Sequence, residues 1–73
     1  MIQEVTITTK SGEKYQMVIE PLTTGQWANL LDSEILILKK NVENADLYDT
    51  PDILIVNRNE IESIEINEAE EET

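Results

Sequence analysis

The stretch Asp52-Ile53-Leu54-Ile55-Val56-Asn57-Arg58-Asn59-Glu60-Ile61-Glu62-Ser63-Ile64-Glu65-Ile66 decides the fold. It opens with four consecutive apolar residues, three of them β-branched, which is typical of a strand buried on both faces. The polar residues 57–60 predict a turn. Ile61, Ile64 and Ile66 then follow at steps of three and two, so a bulge or a single 3₁₀-like turn must absorb the break in alternation. The stretch therefore predicts strand, turn and short strand.

Upstream of this stretch, the pattern predicts a β-hairpin followed by a short helix. Residues 2–9 and 15–19 alternate as strands, and Gly12 between them is free to take a positive φ. Pro21 ends the second strand, because proline cannot donate to a strand ladder. Thr23 and Gln26 then have the spacing of a capping box, which predicts a helix or a helical turn near residues 23–32.

Trp27, Leu30 and Leu31 fall on one face of that helix, at spacings of three and four. This spacing favours core packing of Trp27, whereas a role as a binding hot spot would require the ring to be partly exposed.

The remaining segments are a third strand, an acidic loop and an acidic tail. Residues 34–40 are apolar on both sides, as expected of a central or helix-covered strand. Residues 41–51 form a polar loop, and a loop of that length in a small domain is often functional or disordered. Residues 67–73 have no apolar anchor, so we expect a disordered tail after a single domain spanning residues 1–66.

Length and composition limit the classes of function. A chain of 73 residues makes one small domain with a small core. It has no cysteine and no histidine, which excludes disulfides, thiolate zinc sites and histidine-based catalysis. We therefore expect a protein that is not an enzyme and has no cofactor. No apolar run is long enough to span a membrane, so we expect a cytoplasmic protein that makes no membrane contact.

The net charge of −11 is concentrated in the second half of the chain. Residues 1–40 carry four lysines against five acids, whereas residues 41–73 carry one arginine against eleven acids. This field repels nucleic acid and anionic lipid, so we expect no direct nucleic-acid binding and favour basic protein partners. The alternative is that the acidity only keeps a small protein soluble.

The order of the elements resembles the Sm-like family and the wider Src-homology-3-type small barrels. The strand, turn and Ile-x-x-Ile-x-Ile closure of residues 53–66 is similar to the second Sm motif, and residues 5–15 resemble the first Sm strand with its glycine-bearing turn. Residues 26–30 are a looser echo of the segment before the third Sm strand. The resemblance implies a mainly β fold, a small five-stranded barrel with one short helix.

The chain departs from the family pattern at the positions that contact RNA. Sm-like proteins carry an acidic residue where Gln26 falls and an Arg/Lys-Gly pair where Asn57-Arg58 falls. We also expect the N-terminal helix of the family to be missing, because the first predicted strand begins at Ile2. The resemblance therefore assigns nucleotide binding to no residue of this chain.

The candidate partner-binding residues are acidic side chains and one tyrosine. The spacing of Asp46, Asp49 and Asp52 also raises the alternative of a hard-cation site, but no calcium-loop pattern is matched. Tyr48 is either an exposed aromatic within an acidic surface or a ring packed over its own loop. The full set of candidates for a basic partner is Asp46, Tyr48, Asp49, Asp52, Glu60, Glu62 and Glu65.

Two functions follow as hypotheses. The first is a non-enzymatic protein-interaction or assembly module, which the unpaired edges of a small sheet would allow to form a homo-oligomer. The second is a small acidic inhibitor that imitates nucleic acid, as phage and mobile-element proteins directed against restriction or other nucleases do.

Overall fold

The computed structural model describes residues 1–70, and this part of the chain is mainly β. Its five strands and one α-helix confirm the predicted mainly β class with a single short helix. The elements in chain order are β1 (Ile2–Thr9), β2 (Lys14–Ile19), α1 (Thr24–Leu31), β3 (Ile35–Lys39), a 3₁₀ turn (Ala45–Leu47), β4 (Ile53–Asn57), a second 3₁₀ turn (Arg58–Glu60) and β5 (Ile61–Ala69).

The predicted hairpin of β1 and β2 is confirmed. The two strands are antiparallel, with Val5 opposite Met17. Gly12 takes a φ of 92° in the turn, and its N–H donates to the Thr9 carbonyl over 2.9 Å. A side chain at this φ would be strained, so glycine is the residue that the turn requires.

Strand β5 adds to the other side of β1, which gives a three-stranded antiparallel sheet in the order β2-β1-β5. Thr8 lies opposite Ser63 while Thr9 lies opposite Ile61, so Glu62 is an extra residue in β5. Of the bulge and the 3₁₀-like turn that the spacing allowed, the structure has a bulge at this step. The bulge allows Ile61 to lie buried in the core despite the three-residue step to Ile64.

Strands β3 and β4 form a separate two-stranded antiparallel sheet, with Ile37 opposite Ile55. The end of β4 is held to the end of the helix by Arg58. Its N–H donates to the Glu34 carbonyl over 2.8 Å, and its Nε donates to the Leu31 carbonyl over 3.0 Å. The closed barrel stays a prediction, because the strands lie in two sheets.

One hydrophobic core joins the two sheets and the helix. The predicted core position of Trp27 is confirmed, and the ring lies buried between elements that are distant in sequence. The buried members of this core are Val5, Ile7, Met17, Ile19, Trp27, Leu36, Leu38, Leu54, Val56 and Ile61.

Helix α1 begins with the capping box that the sequence predicts. The Gln26 N–H donates to Thr23 Oγ1 over 3.2 Å, and the Thr23 N–H donates to Gln26 Oε1 over 2.9 Å. These two bonds satisfy amide groups that have no partner within the helix.

Two predictions need correction. Strand β5 continues past the expected end of the domain at Ile66, because Asn67 and Glu68 pair with β1 and Ala69 lies opposite Ile2. The start of the predicted disordered tail is therefore wrong for 67–69, and residues 71–73 lie outside the described part of the chain.

The second correction concerns the strands that were expected to be buried on both faces. Strands β3 and β4 alternate strictly between exposed and buried side chains, so each is buried on one face only. Within residues 1–70, no helix has the length and apolar content needed to cross a bilayer.

Candidate functional site

The outward side of the β3–β4 sheet carries four isoleucines, and we call this surface the isoleucine face. The exposed fractions of these side chains are 52% for Ile35, 46% for Ile37, 53% for Ile53 and 63% for Ile55. Single exposed apolar side chains are ordinary, but a contiguous exposed patch marks an interaction surface. The isoleucine face is therefore the leading candidate for a binding site.

Strand geometry explains why the β3–β4 sheet is apolar on both of its faces. Successive side chains of a strand point to opposite faces, and both strands are apolar at nearly every position. One set of side chains enters the core and the other set faces outward with no described element covering it. The buried set is Leu36, Leu38, Leu54 and Val56.

The register of the two strands fixes the layout of the face. Ile37 lies opposite Ile55 at the centre, Ile35 lies opposite Asn57 at one end, and Lys39 lies opposite Ile53 at the other. None of these six outward positions is acidic. Lys39 is the single ionisable side chain among them.

A cleft of about 270 Å³ adjoins the isoleucine face where the end of β2 and helix α1 approach β3. Ile37 and Lys39 line both the cleft and the face. Most of its lining residues are apolar, Leu22 and Leu30 among them. The apolar surface therefore extends from the face toward the helix.

The acidic loop is organised around the Lys40 ammonium group. The Lys40 side chain is only 6% exposed, and its Nζ donates to the carbonyls of Tyr48 and Thr50 over 3.0 and 2.8 Å. The Asp52 carboxylate lies 3.6 Å from Nζ while remaining 94% exposed. Because Asp52 is so exposed, this ion pair contributes little, and the two backbone bonds hold the loop.

The predicted loop candidates are only partly available to a partner. Asp46 and Asp49 are exposed, whereas Tyr48 is half-buried. Tyr48 is thus not the freely exposed aromatic that one interpretation of the sequence required. Across residues 1–70, no three carboxylates converge into an arrangement able to hold a metal ion, so the alternative of a cation site at Asp46, Asp49 and Asp52 gains no support.

The remaining acidic candidates lie along the turn and strand that close the sheet. Glu60 ends the second 3₁₀ turn, Glu62 is the bulge residue and Glu65 lies opposite Thr6 on β1. All three are exposed. They belong to the three-stranded sheet and the turn before it, and not to the acidic loop.

Glu60 also influences Tyr15 near the hairpin turn. The Tyr15 hydroxyl donates a hydrogen bond to the Glu13 carboxylate. That hydrogen bond, together with the negative charge of Glu13 and the weaker influences of partial desolvation and Glu60, raises the pKa of Tyr15 above its usual value. The group is therefore a neutral phenol at physiological pH, which offers no base for catalysis.

The sequence reasoning missed two features of the site. It predicted that β3 and β4 are buried on both faces, although a continuous apolar run does not distinguish a buried face from an exposed one. It also did not separate the neighbouring residues Lys39 and Lys40, of which the first is exposed at the rim while the side chain of the second is buried under the loop. Strand alternation alone would have separated those two lysines.

Comparison of the chain with models of protein families, with curated proteins and with solved structures finds no match in any of the three.

Proposed function

We propose that this chain is a non-enzymatic protein-interaction module that binds its partner through the isoleucine face. The observation that carries the proposal is a two-stranded sheet that is apolar on both sides and covered on one. The sequence supplies no histidine or cysteine for catalysis, which favours binding over chemistry.

The free energy gained by burying the four isoleucine side chains supports this function. Fully burying one isoleucine contributes about 1.5–3 kcal/mol, so covering the exposed halves of four contributes roughly 3–6 kcal/mol before the cost of association. That contribution suits a reversible complex more than a permanent one.

The experiment compares immobilised wild-type protein with an Ile37→Thr/Ile55→Thr variant. Threonine keeps the strand propensity and removes apolar surface, and both positions point away from the core, so we expect the variant to remain folded. Proteins retained from an extract of the producing cells are identified by mass spectrometry. We expect the wild type to retain a partner protein that the double variant does not retain.

A matched control replaces Leu47, which is 55% exposed but lies in the first 3₁₀ turn and not on the isoleucine face. The Leu47→Thr variant should retain the same proteins as the wild type. Equal retention by all three baits would overturn the proposal.

We also propose that the two sheets belong to one small barrel of the type that the sequence resembles. Support comes from the single core that both sheets share and from the Lys10 N–H, which donates to the Glu60 carbonyl over 2.8 Å where β4 turns into β5. Nuclear Overhauser contacts between the backbones of β2 and β3 would test closure, and their absence would leave an open pair of sheets.

A second candidate is the acidic inhibitor that occupies the nucleic-acid groove of a basic protein. It is favoured by the exposure of Asp46, Asp49, Asp52, Glu60, Glu62 and Glu65 in a chain of net charge −11. This function predicts binding that weakens as salt is added. It also predicts that binding is lost when Asp46, Asp49 and Asp52 are replaced by asparagine.

A further inference from the structure

We infer that the partner covering the isoleucine face is a second copy of this chain, packed face to face about a two-fold axis. The inference rests on the proposed function, because it names the partner of the same surface. Three properties of the face lead to it: the pattern of its side chains, its charge and its size.

The pattern of side chains is self-complementary. Ile35 and Ile53 occupy diagonally opposite corners of the face, with Ile37 and Ile55 between them. A two-fold axis along this diagonal stacks isoleucine on isoleucine and leaves the polar corners, Lys39 and Asn57, at the rim. Homodimers use one patch twice in this way, with an apolar centre and a polar edge.

The charge of the chain makes this face the favourable route for self-association. Each copy carries a net charge of −11, so two copies repel each other over most of their surfaces. The six outward positions of β3 and β4 include no acid and one lysine. Two copies therefore meet here with less repulsion than through surfaces lined by glutamate and aspartate.

The size of the face sets the strength of the dimer. Four half-exposed isoleucines form an apolar patch on the order of a few hundred Å², which is the size of the largest apolar patch on a typical monomer and is often functional. A standard stable complex buries about 800 Å² on each partner. The dimer is therefore reversible and forms as the protein concentration rises.

Sedimentation equilibrium over a range from low micromolar to millimolar protein tests the inference. We expect the mass of the wild type and of the Leu47→Thr control to rise from monomer toward dimer, while the Ile37→Thr/Ile55→Thr variant stays monomeric. A wild type that is monomeric throughout, or a double variant that dimerises like the wild type, would overturn the second copy as partner.

Thiol cross-linking tests the geometry, because the chain contains no cysteine of its own. An Ile35→Cys substitution places one thiol on the proposed axis, whereas Gln16→Cys places one at an exposed position of β2. A short bis-maleimide should link copies of the first variant and leave the second unlinked. Equal yields would refute the two-fold arrangement.

These outcomes separate the inference from the function on which it rests. A monomeric wild type whose capture of another protein depends on the isoleucine face would overturn the second copy and leave the interaction module standing. A wild type that neither dimerises nor captures a protein through this face would overturn both.

Discussion

Gln3 is the residue through which the helix is joined to the three-stranded sheet. Its side chain lies buried, with Oε1 accepting from Trp27 Nε1 over 3.1 Å and from the Leu22 N–H over 3.0 Å. Its Nε2 donates to the Leu22 carbonyl over 3.2 Å. One amide thus satisfies the indole and both backbone groups of Leu22, and buried polar groups left unpaired are costly.

A Gln3→Met substitution keeps the length of the side chain and removes all three hydrogen bonds. We expect it to lower the free energy of unfolding by about 2–4 kcal/mol, because the buried Trp27 indole loses its acceptor and the half-buried Leu22 backbone loses two hydrogen bonds. Urea unfolding followed by the fluorescence of Trp27, the only tryptophan, measures the loss. The control is Gln16→Met, which is exposed on β2; if both variants are equally stable, the network contributes nothing.

The sequence predicted the buried position of Trp27 but not the hydrogen bonds of Gln3. The spacing of Trp27 with Leu30 and Leu31 predicted a core ring, because helical periodicity is local information. The role of Gln3 lies outside such reasoning, since its partners are 19 and 24 residues away and the strand pattern alone places a polar residue there without a reason.

At the level of elements, the start of α1 depends on a cap more than on helix propensity. The helix is eight residues long, contains Gly25 and has no acidic side chain in its first turn. Short helices of this kind are marginal by themselves. The capping box of Thr23 therefore contributes a large share of the local stability.

Replacing Thr23 by alanine should lower the free energy of unfolding by about 1 kcal/mol, the usual cost of losing a polar cap. Thr24→Ala is the matched control, because Thr24 is the neighbouring threonine but lies inside the helix. We expect that control to change stability by no more than a few tenths of a kcal/mol. Thermal unfolding followed by circular dichroism measures the stability of both variants. Equal losses of stability would contradict the capping role of Thr23.

Local signals also explain which elements the sequence predicts well. The hairpin, the capped helix and the bulge before Ser63 each follow from turn chemistry or from spacing within a few residues. Whether a strand is covered depends on the packing of distant segments, so the exposure of Ile53 and Ile55 and the extension of β5 to Ala69 could not be read from the pattern.

For the whole molecule, salt distinguishes self-association through the isoleucine face from binding to a basic partner, because the two depend on charge in opposite ways. Self-association brings together two chains of net charge −11, and ions screen that repulsion over about 8 Å at physiological ionic strength. The contact itself is apolar and does not weaken with sodium chloride. Binding to a basic partner, in contrast, gains from attraction that the same salt removes.

We therefore expect the monomer–dimer equilibrium to shift toward dimer as sodium chloride rises, with sedimentation equilibrium as the measurement. The Asp46→Asn/Asp49→Asn/Asp52→Asn variant should dimerise at least as strongly as the wild type, since it carries less charge and keeps the isoleucine face. A dimer that dissociates as salt is added, or that is lost in this triple variant, would contradict apolar packing as the cause of association. Either result would indicate that charged or polar groups, and not the isoleucine side chains, hold the two copies together.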